Sequence, residues 1–295
     1  MTAQLVNLYA QEFSTTVQLL SQQGETKFRN AVMTGMHQGN QASPVDQYGT
    51  VNMNAVTTRN DPIAGSEVNT DRRWVTPIAF DCAVLVDQFE KLRLISDPQS
   101  PQAQAVLKAA KRQVDDLIID AFFATALTGV SGGTSTSFSA GQQLSVNVGG
   151  TTSNMNVEKL RQAAALFGTN DVDLDSDELY CAIGPLQNAA LLREVEATSA
   201  DYKSLGFEVV NGRLVSGLGM KFIHTTRLDT NGSGYRRCPV WVKSGMHLGI
   251  WADISTDISQ RTDLRSQPWQ VYVKMMMNAT RLEEVKVVEI PCSEA

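Results

Sequence analysis

The segment Gly129-Val130-Ser131-Gly132-Gly133 reads G-x-S-x-G, a pattern in which a serine nucleophile stands on a strained turn between a strand and a following helix. Here the order is reversed. A helical pattern precedes the serine and a Ser/Gly-rich loop follows, so a helix ending at Gly129 accounts for every residue. Asp171, Asp173, Asp175 and Asp177 alternate like calcium ligands, but an EF-hand loop needs Gly at its sixth position and Glu at its twelfth. Those places hold Ser176 and Ala182, which leaves a solvated acidic turn before a strand. His37, His224 and His247 have no HExxH spacing and no nearby cysteine pair. His224 and His247 fall in apolar strand patterns, where a hydrogen-bonded core or interface histidine is the commoner role. Cys82, Cys181, Cys238 and Cys292 are far apart without a CxxC pair, and are expected as small buried hydrophobes. Gly217 and Gly219 lack the third glycine and the helix of a dinucleotide fingerprint, and no Walker lysine loop occurs. Paired carboxylates can converge from anywhere in a chain, yet nothing selects a pair here. No catalytic residue, cofactor site or metal site is predicted.

The chain behind these residues has 295 of them, 42% hydrophobic and 19% charged, enough apolar surface for a sizeable core in one large domain or two ordinary ones. No apolar run approaches membrane length; Ala121–Leu127 is far too short. The start, MTAQLVNLYAQEF, shows no signal-peptide pattern, and a soluble, cytoplasmic protein is expected. A net charge of −6 and a pI of about 5.2 argue against a protein built to cover nucleic-acid phosphate.

Residues 4–31 read as a helix in two pieces: Leu5, Tyr9, Phe13, Val17 and Leu20 form one stripe, and after Gly24 the segment Thr26–Met33 carries Phe28 and Val32 on one face. A narrow stripe on a polar terminal helix suggests an arm lying on a neighbouring subunit, or a first helix packed on its own domain. Gly35–Arg73 is long and weakly periodic, unusual for a compact domain. The run WVTPIAFDCAVLVD then alternates like a strand, with Pro77 confined to an edge or bulge. A β-excursion that leaves and re-enters the domain fits residues 45–87. The strongest helix is predicted from Pro101, with Ser100 as N-cap, to about Leu127. Its stripe is Val106, Ala110, Val114, Leu117, Ile118 and Ala121, with Lys108, Lys111, Arg112 and Asp115 largely off it. At roughly 40 Å this helix is a spine rather than a connector. Further helices are expected at Asn156–Phe167 and from Pro185 to about Thr198, and strands at Leu179–Ile183, Phe207–Val210 and Met220–Thr225. Residues 238–254 alternate, and Trp269–Met277 with Glu283–Ile290 read as a long antiparallel pair. The fold class is α+β, with a second lobe near residues 153–250. A terminal arm, a β-excursion and a spine are parts whose natural partner is another copy of the chain, since an isolated ribbon buries too little to stand alone.

The run RRWVTPIAFDCAVLVDQFEKLRLISDPQSPQAQAVLKAAKRQVDDLIIDAF resembles the major capsid proteins of tailed bacteriophages, especially short-tailed ones. The shared pattern falls on Val86, Asp87, Glu90, Lys91, Arg93, Asp97, Pro98 and Ser100, then on Arg112, Asp115, Asp116, Ile118 and Ile119. The residue pattern covers 72–123, and the order of elements agrees over nearly the whole chain. The resemblance implies the Hong Kong 97-like fold. Residues 1–44 would be the N-terminal arm and 45–80 the extended loop. Residues 81–152 and 251–295 would form the peripheral domain, with its spine helix at about 101–128, and 153–250 the inserted axial domain. It also implies a virion protein that self-assembles as pentamers and hexamers into an icosahedral head, in the host cytoplasm and without a membrane. The head would hold double-stranded DNA without sequence-specific contacts. The implied partners are a portal and a separate scaffolding protein, the latter because the chain opens directly with the arm; a cement protein on the outside is left open. Arg59, Asp61, Glu67, Asp71, Arg72 and Arg73, in or beside the loop, are the candidate inter-subunit contacts. Some relatives lock their shells with Lys–Asn bonds from this loop. No lysine lies between Lys27 and Lys91, so a non-covalent shell is expected. An encapsulin-like compartment with the same fold is the nearest alternative; a soluble α+β enzyme with scattered site residues leaves the long loop unexplained.

Overall fold

The computed structural model describes residues 23–55, 58–59, 65–87, 99–148, 150–174, 176–194 and 207–294. The expected Leu5–Leu20 stripe, and the motif positions Glu90 to Pro98, lie outside them. In chain order the strands are β1 (Met33–Met36), β2 (Ala42–Tyr48), β3 (Thr70–Val75) and β4 (Ile78–Val86), followed by helix α1 (Gln99–Phe123). Short strands β5 (Ala126–Thr128), β6 (Thr134–Thr136), β7 (Asn147–Val148) and β8 (Thr151–Thr152) precede α2 (Val157–Thr169), β9 (Leu179–Ile183) and α3 (Pro185–Arg193). Then come β10 (Glu208–Val210), β11 (Arg213–Gly217), β12 (Met220–His224), β13 (Arg236–Val242), β14 (Met246–Gln260), β15 (Trp269–Arg281) and β16 (Val287–Cys292).

These form three larger sheets, ordered β1-β14-β15-β4, β10-β11-β12-β9-β13-β16 and β2-β3-β5-β6. The described residues fall into two compact units. One takes residues 23–26, Ala79–Gln113 and Ala252–Met276, and the other takes Lys27–Ile78, Val114–Trp251 and Met277 onward.

Within the second unit the core forms around Trp241, whose ring lies 4.5 Å from Phe122 and stacks on Phe28 and Tyr180 at 5.7 Å each. Its indole N–H donates to the Ala31 carbonyl at 2.8 Å. The expected helix at Thr26–Met33 is instead a single 3-10 turn, Arg29–Ala31, running into β1. Burial of Phe28 and Val32 fixes that turn. So does Asp115, which accepts the backbone N–H groups of Lys27 (3.0 Å) and Phe28 (3.2 Å).

The stripe predicted on α1 is buried as expected, with Ile119 and Phe122 added; Asp115, placed off the stripe, is fully buried too. α1 stops at Phe123, short of Leu127. Ala126–Thr128 peels away as β5 to pair with β3 and β6, and the guanidinium of Arg281 takes the carbonyls of Phe122 (2.7 Å) and Ala124 (3.0 Å) that another turn would use. Gly129, at φ +88°, therefore turns the chain after a strand rather than after the helix.

α2 begins where expected, with the Asn156 side chain accepting the Lys159 N–H at 2.8 Å, an N-cap. α3 is described to Arg193; the remainder of the helix expected to Thr198 lies largely outside the described residues. GRLVSGLG, expected as a link, contains β11. Pro77 sits at the break between β3 and β4, the position its missing N–H requires. β15 and β16 are not the expected pair: β15 neighbours β14 and β4, while β16 pairs antiparallel with β13. All six residues of β16 are buried although it is the edge strand of its sheet: α2 packs on it, and along its free edge Leu144 donates its N–H to the Glu289 carbonyl at 2.9 Å.

Candidate functional site

β2 and β3 build a ribbon in antiparallel register, Tyr48 opposite Thr70, Asp46 opposite Arg72 and Val45 opposite Arg73. Its root is fastened by polar groups. Asp71 accepts the Gly129 N–H at 2.9 Å, the Trp74 indole donates to the Gly129 carbonyl at 2.7 Å, and Gln47 donates to the Leu282 carbonyl at 2.5 Å. Beyond Tyr48 and Thr70 the described residues have no regular structure, and Tyr48, Val51, Met53 and Val68 present apolar side chains to solvent, Met53 fully.

The six predicted contact residues separate by position. Arg59 and Glu67 are exposed beyond the paired ribbon; Asp61 lies outside the described residues. Asp71 works at the root. Arg72 forms an exposed cross-strand pair with Asp46 at 2.7 Å. Arg73 is only 6% exposed and stands 3.3 Å from Glu284, but its Nε and Nη1 have no hydrogen-bond partner.

Glu284 is shared with Arg281, whose Nε and Nη2 meet the same carboxylate at 2.7 and 3.1 Å. Arg281 is 1% exposed; burial lowers its pKa, and the Glu284 carboxylate opposes that shift. Two buried guanidiniums thus share one carboxylate at the ribbon root. Spacing did not single out Arg281 and Glu284, because they reach the ribbon only through the packing of β15.

The acidic pair in the α1 motif also finds its use. Asp115 anchors the chain at Lys27 and Phe28, and Asp116 holds the Arg227 guanidinium through both carboxylate oxygens.

The remaining chemical candidates are structural. Ser131 lies in a turn without the helix that a nucleophile elbow needs. Cys181, Cys238 and Cys292 are buried; the Cys181 thiol is pushed up in pKa mainly by burial and that of Cys238 first by its hydrogen bond with Cys292. Cys82 is exposed on β4, against expectation, although Phe80 and Val84 on the same face are half-buried. Fully buried Lys159 gives its ammonium to the carbonyls of Ser153 (2.7 Å) and Pro291 (2.9 Å). Among the described residues no three His, Cys, Asp or Glu side chains gather as a metal site, and no helix is long and apolar enough to cross a membrane.

A family model described as phage capsid protein matches residues 5–294. The chain belongs to the phage capsid protein family. Solved structures give the same fold: the capsid of cyanophage P-SCSP1u (TM-score 0.75, 14% identity, covering 98% of this chain and 94% of that one) and the head of Helicobacter pylori bacteriophage KHP40 (0.72, 10%, 98% and 97%). The capsid asymmetric unit of cyanophage Pam1 matches likewise (0.71, 12%, 100% and 98%). No curated protein matches in sequence. The fold is thus the Hong Kong 97-like α+β fold, and the chain is a non-enzymatic structural component of the virion, a capsid protein that associates with its own copies.

Proposed function

We propose that this capsid protein, as pentamers and hexamers, builds the icosahedral head around packaged double-stranded DNA. Residues 1–44 serve as the arm, 45–80 as the extended loop, 81–152 and 251–295 as the peripheral domain and 153–250 as the axial domain. The observation that carries the proposal is the ribbon: exposed Tyr48, Val51, Met53 and Val68 gain cover from a neighbouring subunit, which a ribbon alone does not supply. Arg59, Asp61, Glu67 and Arg72, close to these apolar groups in sequence, meet charges on that neighbour. Arg73 and Asp71 keep the ribbon root in register. The net charge of −6 suits a shell whose lining leaves DNA free to be packed by a motor, since a basic lining would bind phosphate by releasing counterions. Assembly in the host cytoplasm on a separate scaffold, around a portal, completes the proposal.

Negative-stain microscopy with sedimentation velocity tests it, on the chain co-expressed with its neighbouring phage genes and on particles from infected cells. Closed shells containing DNA are expected; a small oligomer that never closes, or shells filled with a protein cargo, would overturn it. Arg72→Glu tests the ribbon. An exposed ion pair contributes only about 0–1 kcal/mol to the fold, so the variant should fold with an unchanged melting temperature but fail to form shells. Unchanged assembly would remove Arg72 from the interface.

A further inference from the structure

We infer that neighbouring copies of this chain meet head to tail, an acidic turn on one copy entering a basic pocket on the next. The inference rests on the assembly role proposed above and names a contact within it. The pocket is lined by Lys27, Arg213 and His224 together with Asn188 and Thr226. Its walls are held by main-chain contacts. Asn188 clamps the β10–β11 turn, donating to the Gly212 carbonyl and accepting the Leu214 N–H, both at 3.1 Å. The Lys27 ammonium donates to the His224 carbonyl at 2.6 Å, which leaves two of its three N–H groups for another acceptor. His224 Nε2 donates to the Leu214 carbonyl at 2.7 Å, which fixes the ring in the pocket wall with Nδ1 as an acceptor in its neutral form. Among the described residues Arg213 is exposed and has no ion-pair partner. Asp115, whose carboxylate accepts the N–H groups of Lys27 and Phe28, also acts electrostatically on the Lys27 ammonium, which leaves the Arg213 charge unopposed among the described residues. The charge left over is positive and is carried by Arg213; His224 is lowered in pKa first by burial, with Arg213 and Lys27 adding to that shift.

The complement lies in the turn between α2 and β9. Asp171 and Asp173 are exposed there, with Leu174 beside them. Asp173 shapes the turn by accepting the Ser176 hydroxyl at 2.7 Å. Asp177 and Glu178 are engaged by Ser244 and Lys221, whereas the Asp171 carboxylate has no partner among the described residues.

The placement of the two charges decides the geometry. β9 and β12 run parallel, from Leu179 opposite Met220 to Ile183 opposite His224. The acidic turn feeds the start of β9. The pocket gathers at its far end, around Pro185 and His224, about 16 Å away at the rise of a strand. Opposite charges at opposite ends of one strand pair cannot satisfy each other within a copy. Between copies they make a heterologous contact, the kind that closes rings.

The test compares Arg213→Glu, Asp171→Lys and the double variant with the unaltered chain. Assembly is followed by sedimentation velocity over a salt series, and folding by thermal melts of the unassembled chain. Each single variant should raise the concentration needed for assembly by about tenfold at low salt, and the double should recover most of that loss, as charge-swapped interface pairs do. High salt should shrink the differences by screening. Single variants that assemble like the unaltered chain, or a double no better than the worse single, would overturn the contact and leave the capsid role standing. An unaltered chain that never assembles would overturn both. Should a reversal prevent folding, Arg213→Gln and Asp171→Asn remove each charge alone, and unchanged assembly of both would again overturn the contact.

Discussion

His37 and His247 place their Nε2 atoms 2.8 Å apart, so one ring donates to the other and both cannot be protonated there. His247 is 5% exposed. Burial first, then the neighbouring imidazole, pushes its pKa from 6.5 to about 4; burial also lowers that of His37. The pair joins β1 to β14, where Met33 lies opposite His247. Space for it comes from Gly35, where a Cβ would stand 2.9 Å from the His247 ring. A histidine whose folded pKa is depressed takes up protons on unfolding, so stability rises with pH between the folded and unfolded values. Stability should be level above pH 6.5 and fall as the pH drops towards 4, by up to about 3 kcal/mol over that window. His247→Gln should flatten that slope in urea titrations of the unassembled chain; an unaltered slope would show that other groups set it.

At the scale of elements, the decisive junction is the end of α1. Local propensity would carry the helix to Leu127, but β3 and β6 draw residues 126–128 into a sheet, and Arg281 closes the last turn with two hydrogen bonds to its carbonyls. Its planar fork holds those carbonyls and Glu284 at once, and its face lies 5.0 Å from the Phe138 ring. A lysine cannot reproduce a forked, stacked contact. Arg281→Lys should therefore lower the unfolding free energy by about 2 kcal/mol, read as a reduced urea midpoint. An unchanged midpoint would mean that the helix end is held by β5 alone. The same junction explains why β15 and β16 part company: the 3-10 turn at Glu284–Lys286, tied back by Glu284 to Arg281, lies between strands of two different sheets.

For the whole molecule, the absence of lysine between Lys27 and Lys91 leaves the extended loop proposed at residues 45–80 without the amine that an isopeptide bond requires. Mature particles boiled in denaturant should release the protein as a single monomer band, and a ladder of covalent oligomers would refute a non-covalent shell. Such a shell depends on contacts that are weak singly and repeated many times, which is why apolar and charged groups stay exposed on a single chain.

Much of this protein is legible in the amino-acid sequence because it is local. The buried stripe of α1, the start of α2 near Asn156, the uniformly apolar strand Leu179–Ile183 and the strand break at Pro77 each follow from the periodicity or backbone chemistry of a few neighbouring residues. The ordered combination of such pieces carried the family resemblance. Tertiary structure alone decided which strands share a sheet, that Asp115 is an internal anchor 88 positions from Lys27, that His37 finds His247 across 210 positions, and that Arg73 faces Glu284 rather than solvent. Those outcomes depend on which surfaces are left uncovered once the local elements have formed, and no short window of sequence contains that information.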